Sequence, residues 1–124
     1  MSNLSVANGQ TVTTSTSVSG ADDVNVAAGG TIDVGAGALP AILWSAAATG
    51  GGVTIENAGT ITDTGTGANA RPAIGINAGL TGTLTAVNTG TISSTAAPGM
   101  FFGNVPVGGT ENITNSGTIT GGNG

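Results

Sequence analysis

A five-residue pattern, an Asn followed by a small residue, Gly, Thr and Ile, recurs along this chain. Clear copies begin at Asn57, Asn88 and Asn115, a degenerate copy begins at Ala28, and a weaker echo begins at Asn8. Self-similarity at a period of about 30 residues is typical of proteins built from stacked structural repeats. The pattern therefore predicts a repeated backbone cross-section, which constrains the fold before any single residue is given a role.

Apolar residues precede each Asn of this pattern at a spacing of two. Val53 and Ile55, for example, lie four and two positions before Asn57. Residues two positions apart share one face of a β-strand, so we expect this face to point into the protein. The Ile of each pattern begins a second short strand. The inward columns predicted from this alignment are Val24/Val53/Leu84, Val26/Ile55/Ala86/Ile113 and Ile32/Ile61/Ile92/Ile119.

A third strand is indicated by a proline that precedes an apolar segment. These prolines are Pro40, Pro72 and Pro98, and each lies 12 or 13 positions before the first inward position of the next repeat. The distance from the Thr of the pattern to its proline varies, at 9, 12 and 7 positions. Length variation is therefore confined to one connection, as in other solenoids. The variable loops are predicted at 35–39, 63–71 and 94–97, and the fourth inward column is Ile42/Ile74/Phe101.

These segments predict an all-β fold, a right-handed parallel β-helix (β-solenoid) with three short strands per rung and about four rungs. The chain is expected to form one domain, 1–124. Within it, residues 1–23 would form a short first rung or N-terminal cap, residues 24–52, 53–83 and 84–110 full rungs, and residues 111–124 an incomplete last rung.

The repeated Asn side chains are expected to lie one strand spacing apart, roughly 4.8 Å. Side-chain amides stacked in this way donate and accept along the axis and form an asparagine ladder. The Gly of each pattern is expected to supply a positive φ at the corner between two strands. The predicted structural ladder comprises Asn57, Asn88, Asn115, Gly30, Gly59, Gly90, Gly117, Ile32, Ile61, Ile92 and Ile119, with Ala28 interrupting the Asn column.

The composition argues against several classes of partner. The formal net charge is −5 and Arg71 is the one basic side chain, whereas nucleic-acid binding requires several cations. No apolar run approaches the roughly 20 residues of a membrane-spanning helix, so we expect no membrane insertion. Residues 1–4 also lack the positively charged start of a signal peptide.

Catalytic and metal-binding chemistry are not indicated either. Histidine, lysine, tyrosine and cysteine are absent, which removes the usual general bases and transition-metal ligands. The Gly-rich stretch 50–52 lacks the Asp of a calcium-binding repeat. We therefore expect no enzymatic activity, cofactor or metal. A polysaccharide-active β-helix enzyme is a remote alternative, because such enzymes need paired carboxylates and only Asp22 and Asp23 are adjacent in the sequence. The acidic residues are expected to be solvated surface charges: Asp22, Asp23, Asp33, Glu56, Asp63 and Glu111.

Three aromatic residues follow the proline anchors. Alternation along the strand predicts that Phe101 points inward and Phe102 outward, and that Trp44 shares the inward face with Ile42. Trp44 and Phe102 are nevertheless the candidates for a contact surface, because an exposed aromatic stripe suits protein contact or carbohydrate stacking.

The repeats, each followed by a variable Gly/Thr loop and a Pro-or-Gly-Ala-Ile segment, resemble the passenger repeats of bacterial autotransporter adhesins. The resemblance covers residues from about 24 to about 120. It implies a right-handed β-helix displayed at the bacterial surface or in the extracellular space, with a role in adhesion, aggregation or as a stalk. Since no signal peptide or translocator barrel is recognised, we expect a slice of a passenger or an unanchored relative.

The leading functional hypothesis is a non-enzymatic structural protein, a stalk or scaffold whose partner is a second copy stacked along the axis into filaments. The motivation is the uniformity of the repeats together with the exposed strand edges that a β-helix has at its two ends. The alternative hypothesis is an adhesin module that binds a host or cell-surface ligand through the variable loops.

Overall fold

A computed structural model describes residues 3–35, 37–46, 52–76, 82–102 and 109–122. These residues form fourteen β-strands and one short 3-10 turn at Gly67–Asn69. Every strand pair is parallel, and each strand pairs with the equivalent strand of the neighbouring repeat. The all-β, parallel β-solenoid predicted from the repeats is confirmed.

Each rung of the solenoid passes through three sheets in turn. The first sheet contains β1 (Asn3–Val6), β4 (Asp23–Val26), β7 (Gly52–Asn57), β10 (Gly82–Asn88) and β13 (Gly109–Asn115). The second sheet contains β2 (Thr11–Val12), β5 (Thr31–Asp33), β8 (Thr60–Asp63), β11 (Thr91–Ser94) and β14 (Thr118–Thr120). The third sheet contains β3 (Thr16–Ser19), β6 (Ile42–Ala46), β9 (Ile74–Ile76) and β12 (Met100–Phe101).

The core is a slim set of columns that runs along the solenoid axis. Ile32, Ile61 and Ile92 stack in the second sheet as predicted, and all three are buried. A single rung exposes its inward row, so the apolar surface is buried only when neighbouring rungs stack upon it. At the last rung the cover ends, and Ile113 is 41% exposed.

The register of the first sheet differs from our alignment in the early rungs. Val24 pairs with Ile55 and Val26 with Asn57, two residues away from the predicted pairing of Val24 with Val53. The cause is corner length, because six positions separate Val26 from Ile32 but only four separate Asn57 from Ile61. One column of the first sheet therefore contains Val6, Val26, Asn57, Asn88 and Asn115.

The corners between the first and second sheets are of two kinds. In the first two rungs they span residues 7–10 and 27–30, and they contain Gly9 and Gly29 with φ of 78° and 80°. In the later rungs they shorten to 58–59, 89–90 and 116–117. We name these the long corners and the short corners.

The positive φ of the second long corner belongs to Gly29 and not to Gly30, and the glycines of the short corners do not have positive φ either, so that part of our prediction is wrong. They are required for another reason, which is close stacking. A Cβ on Gly90 would overlap the carbonyl oxygen of Gly59, and a Cβ on Gly117 would overlap the carbonyl oxygen of Gly90. Gly59 approaches the carbonyl oxygen of Gly30 in the same way.

The third sheet corrects our assignment of the last aromatic pair. Met100, and not Phe101, pairs with Ile74, while Phe101 pairs with Gly75. Each inward residue lies two positions after its proline, as Ile74 follows Pro72, and the same count from Pro98 gives Met100. Phe101 is therefore outward and 51% exposed, and Phe102 packs against the core.

The first rung is more complete than the sequence indicated. It has a third strand, β3, although no proline-apolar segment precedes it. Thr16 pairs with Ile42 and Val18 with Trp44. Val18 is buried although the other three residues of β3 are polar. Residues 3–19 thus form a rung of three strands and extend the stack by one layer.

Candidate functional site

The asparagine ladder is present and runs through the three later rungs. Asn57 Nδ2 donates to Asn88 Oδ1 at 2.7 Å, and Asn88 Nδ2 donates to Asn115 Oδ1 at 2.7 Å. The same amides also donate to the carbonyl oxygens of Thr91 and Thr118 in the next rung. Asn57 and Asn88 are 2% and 1% exposed, so their hydrogen bonds satisfy groups that would be costly to bury unpaired.

Each Asn of the ladder also contacts the backbone of the glycine in its own short corner. Asn57 Oδ1 accepts a hydrogen bond from Gly59 N at 3.2 Å, which fixes the turn that begins immediately after the Asn. Asn88 Nδ2 lies 3.3 Å from the carbonyl oxygen of Gly90, and Asn115 Nδ2 lies 3.2 Å from that of Gly117. The amides are thus engaged with their own rung and the next one, which is a structural role.

The predicted variable loops lie along one edge of the solenoid and contact one another. Arg71 Nε donates to the carbonyl oxygen of Ala38 at 2.9 Å, which joins the second and third rungs. Ser94 Oγ donates to the carbonyl oxygen of Arg71 at 2.7 Å, which joins the third and fourth rungs. The sole basic side chain therefore ties loops together, and we call this surface the loop edge (described residues of 35–39, 63–71 and 94–97).

A buried carboxyl group lies at the base of the loop edge. Asp63 is 0% exposed, and its Oδ1 accepts a hydrogen bond from Gly65 N at 2.9 Å. Its Oδ2 is buried and has no partner among the described residues. Burial raises the pKa of Asp63, the Gly65 hydrogen bond and Arg71 oppose that rise, and Asp33 adds to it.

Our expectation of solvated carboxylates is therefore wrong for Asp63, for Asp22, which is 8% exposed, and for Glu111, whose Oε1 is shielded from solvent. The sequence contained the necessary signal for Asp63. It lies two positions after the inward Ile61, so strand alternation places it on the inward face. Asp33 lies one position after Ile32 and is only half-buried, in agreement with the opposite parity.

A polar groove of about 650 Å³ lies on the outer face of the first sheet. It spans the first three rungs, and Asn25 Nδ2 donates to Glu56 Oε2 across it at 3.2 Å. The groove offers hydrogen-bond donors, hydroxyl groups and two carboxylates, and no basic side chain lines it. The groove could not be predicted from the sequence, because the pattern of outward polar residues is the same on a flat and on a concave face. Its polar lining residues are Asn3, Ser5, Asp23, Asn25, Thr54 and Glu56.

The aromatic contact surface does not lie where the sequence placed it. Trp44 is 0% exposed, in line with its predicted inward parity, and offers no contact surface. Its indole nitrogen has no hydrogen-bond partner among the described residues. Phe102 is half-buried against the core, which leaves Phe101 as the exposed aromatic.

No protein-family model, curated protein or solved structure matches the chain. Within the described ranges, no three acidic, His or Cys side chains come together in a group that could hold a metal ion. No helix in the same ranges is long and apolar enough to cross a membrane. The structure shows the β-solenoid that the resemblance to passenger repeats implied, and no comparison supports the autotransporter identity itself.

Proposed function

We propose that this protein is a non-enzymatic structural scaffold, a β-solenoid rod that stacks end to end with further copies of itself. The observation that carries the proposal is that the two ends of the rod present the same columns. Leu4 and Val12 lie partly exposed at the first rung, and Ile113 and Ile119 lie partly exposed at the last. A second copy placed head to tail would continue both columns without interruption.

The columns align because the register is maintained from rung to rung. Leu4 belongs to the column that reaches Ile113, and Val12 belongs to the column that reaches Ile119. Stacking would also pair β13 with β1 and β14 with β2 of the next copy, using the backbone groups of edge strands. A contact that repeats by translation along an axis does not close, so it generates a filament.

We place this scaffold at the bacterial surface or in the extracellular space. The support is the resemblance of its repeats to autotransporter passenger repeats and their shared solenoid architecture. A rod whose sheets present outward Thr, Ser and Asn side chains also suits a stalk, since hydrated polar faces do not associate sideways through apolar contact.

Directed cross-linking tests the stacking register. Thr11 and Thr118 are exposed and occupy the two ends of one column, and the chain has no native cysteine. In the head-to-tail joint their Cα atoms would lie about 4.8 Å apart, within the range that a disulfide spans. The double variant Thr11→Cys/Thr118→Cys should give a ladder of covalent oligomers on a non-reducing gel.

The matched control moves one cysteine from the end of the rod to its side. Thr66 is exposed on the loop edge, so Thr66→Cys/Thr118→Cys should give no extended ladder. Electron microscopy of the parent protein should show rods that lengthen with concentration. A monomer at high concentration, together with equal cross-linking of both pairs, would contradict the proposal.

A second candidate function is an adhesin module that binds a host or cell-surface ligand. The groove on the first sheet favours it, because a concave polar surface offers directional hydrogen bonds to a ligand. The test is adhesion of protein-coated beads to cells after Asp23→Asn/Glu56→Gln, and separately after replacement of loop 64–69. Loss of adhesion in either variant supports binding, and unchanged adhesion in both favours the scaffold alone.

A further inference from the structure

The last rung contains one inward position that does not match its column. Val53 pairs with Leu84, and Leu84 pairs with Glu111. Val53 and Leu84 are both fully buried. A carboxylate therefore takes the place of an aliphatic side chain at the open end of an apolar column.

Among the described residues, none compensates the charge of Glu111. Its Oε1 is shielded from solvent and has no hydrogen-bond partner in the described part of the chain. The one basic side chain, Arg71, is engaged by carbonyl oxygens of the loop edge. A rung added below β13 would cover Glu111 further, and burying an unpaired charge is strongly unfavourable.

Asp22, in an early rung of the same column, would add a second negative charge in a head-to-tail joint. Asp23 pairs with Thr54, which puts Asp22 opposite Val53 in the column that ends at Glu111. Asp22 is itself buried, and its Oδ2 accepts a hydrogen bond from Ser19 N. In a head-to-tail joint, Asp22 of the next copy would share the column with Glu111 at a separation of about two strand spacings.

We infer that Glu111 is a charge gate that limits axial stacking of this chain, acting against the apolar attraction of Ile113 and Ile119. Inward-pointing charges on an edge strand are a recognised way to discourage further strand pairing. The inference rests on the proposed scaffold function, since it assigns the residue that sets how readily the rods join. The occupant of the gated surface is the first rung of a second copy.

Substitution of Glu111 tests the gate directly. Glu111→Leu restores the aliphatic column and should lower the concentration at which rods form by about tenfold or more. Glu111→Gln removes the charge but keeps a polar group, so its effect should lie between those of the parent and the Leu variant. Light scattering over a concentration series measures the threshold, and electron microscopy distinguishes rods from amorphous aggregates.

The matched control is Asp33→Asn, which also removes one negative charge, from a half-buried position of β5 in the second rung, and keeps the acceptor for Gly35 N. It should assemble at the parent concentration, whereas a threshold lowered as far as in Glu111→Gln would show that net charge, and not the gate, controls assembly. The Thr11→Cys/Thr118→Cys pair in each background checks the register, and circular dichroism checks the fold.

Two further outcomes separate the gate from the function on which it rests. If the parent forms register-specific ladders and both Glu111 variants form them at the same threshold, stacking stands and the gate is overturned. If no variant forms rods or register-specific ladders at any concentration, the scaffold proposal fails and the gate fails with it.

Discussion

The long corners of the first two rungs and the short corners of the later rungs both connect a strand of the first sheet to a strand of the second, but different interactions stabilise them. A long corner uses four residues and a glycine with positive φ, as at Gly9 and Gly29. A short corner uses two residues, a buried Asn amide and a glycine packed on the carbonyl of the rung above. Both deliver the chain to a Thr–Ile pair in unbroken register.

The difference shows that a column can keep its position while its chemistry changes. Val6 and Val26 precede long corners, whereas Asn57, Asn88 and Asn115 precede short ones in the same column. A long corner satisfies its turn with backbone hydrogen bonds, such as Gly30 N to the carbonyl oxygen of Ala27 at 2.8 Å. The inward residue there is free to be apolar. A short corner has too few residues for this bond. Its glycine N–H donates instead to the Asn57 side chain at Gly59, or to the backbone carbonyl oxygen of the preceding rung's Asn at Gly90 and Gly117.

The largest effect is expected when the close stacking of a short corner is broken. Gly90→Ala places a methyl group against the carbonyl oxygen of Gly59, which is backbone and cannot move aside without shifting a rung. We expect a loss of about 3 kcal/mol or more in the free energy of unfolding, at the upper end of overpacking effects. Urea denaturation followed by circular dichroism measures it.

A matched glycine of a long corner provides the control. Gly9 has a φ of 78° and open space around its Cβ position, so Gly9→Ala should cost only about 1–2 kcal/mol, through left-handed strain. Gly9→Asn should recover part of that loss because Asn tolerates this conformation, whereas Gly90→Asn should recover none. Equal losses for Gly90→Ala and Gly9→Ala would refute the distinction between the two corners.

A smaller effect is expected when the ladder is interrupted and given the side chain of the early rungs. Asn88→Val removes the acceptor of the Asn57 amide and the donors to Asn115 and Thr118. We expect a loss of about 2 kcal/mol because buried polar groups lose partners. Asn115→Val, at the exposed end of the ladder, should cost about 0.5 kcal/mol or less. A neutral Asn88→Val would mean that short corners form without the amide.

The comparison also explains which parts of the fold could be predicted from sequence. The second sheet was predicted correctly because every repeat, with either corner, ends in Thr followed by Ile or Val. The first sheet was misaligned in the early rungs because Ala28-Gly29-Gly30 imitates the spacing of Asn57-Ala58-Gly59. The positive φ of Gly29 makes this segment part of a longer turn, and composition alone does not show that.

The candidate sites divide in a similar way. The ladder followed from residue type and repeat spacing, since stacked amides satisfy one another. Asp63 was within reach of simple alternation from Ile61, but its acidity favoured the surface in our prediction. The groove on the first sheet could not be predicted, because its lining residues are ordinary for a solvated strand and their types do not show that the face is concave.

The smallest expected effect on stability concerns a turn closed by an aspartate, which occurs once in the second rung and once in the third. Asp33 Oδ1 accepts from Gly35 N and Asp63 Oδ1 accepts from Gly65 N, so each carboxyl group caps the residue two positions on. Asp33 is half-buried, whereas Asp63 is fully buried and its Oδ2 has no partner among the residues that the structure describes. The same motif is therefore exposed to water in one rung and desolvated in the next.

Burial raises the folded-state pKa of Asp63 above its ordinary value, which fixes the sign of its pH dependence. The unfolded chain loses this proton at lower pH than the folded chain does, so the stability contributed by the protonated group is complete below the unfolded pKa, about 3.9. It is lost as the pH rises through the higher folded pKa.

Asp63→Asn keeps the acceptor for Gly65 N and cannot ionise. It should therefore unfold at a higher urea concentration than the parent at pH 7, and the difference should shrink towards pH 4. An Asp63→Asn variant that loses stability at pH 7 and matches the parent at pH 4 would show instead that the carboxylate is stabilised in the folded protein.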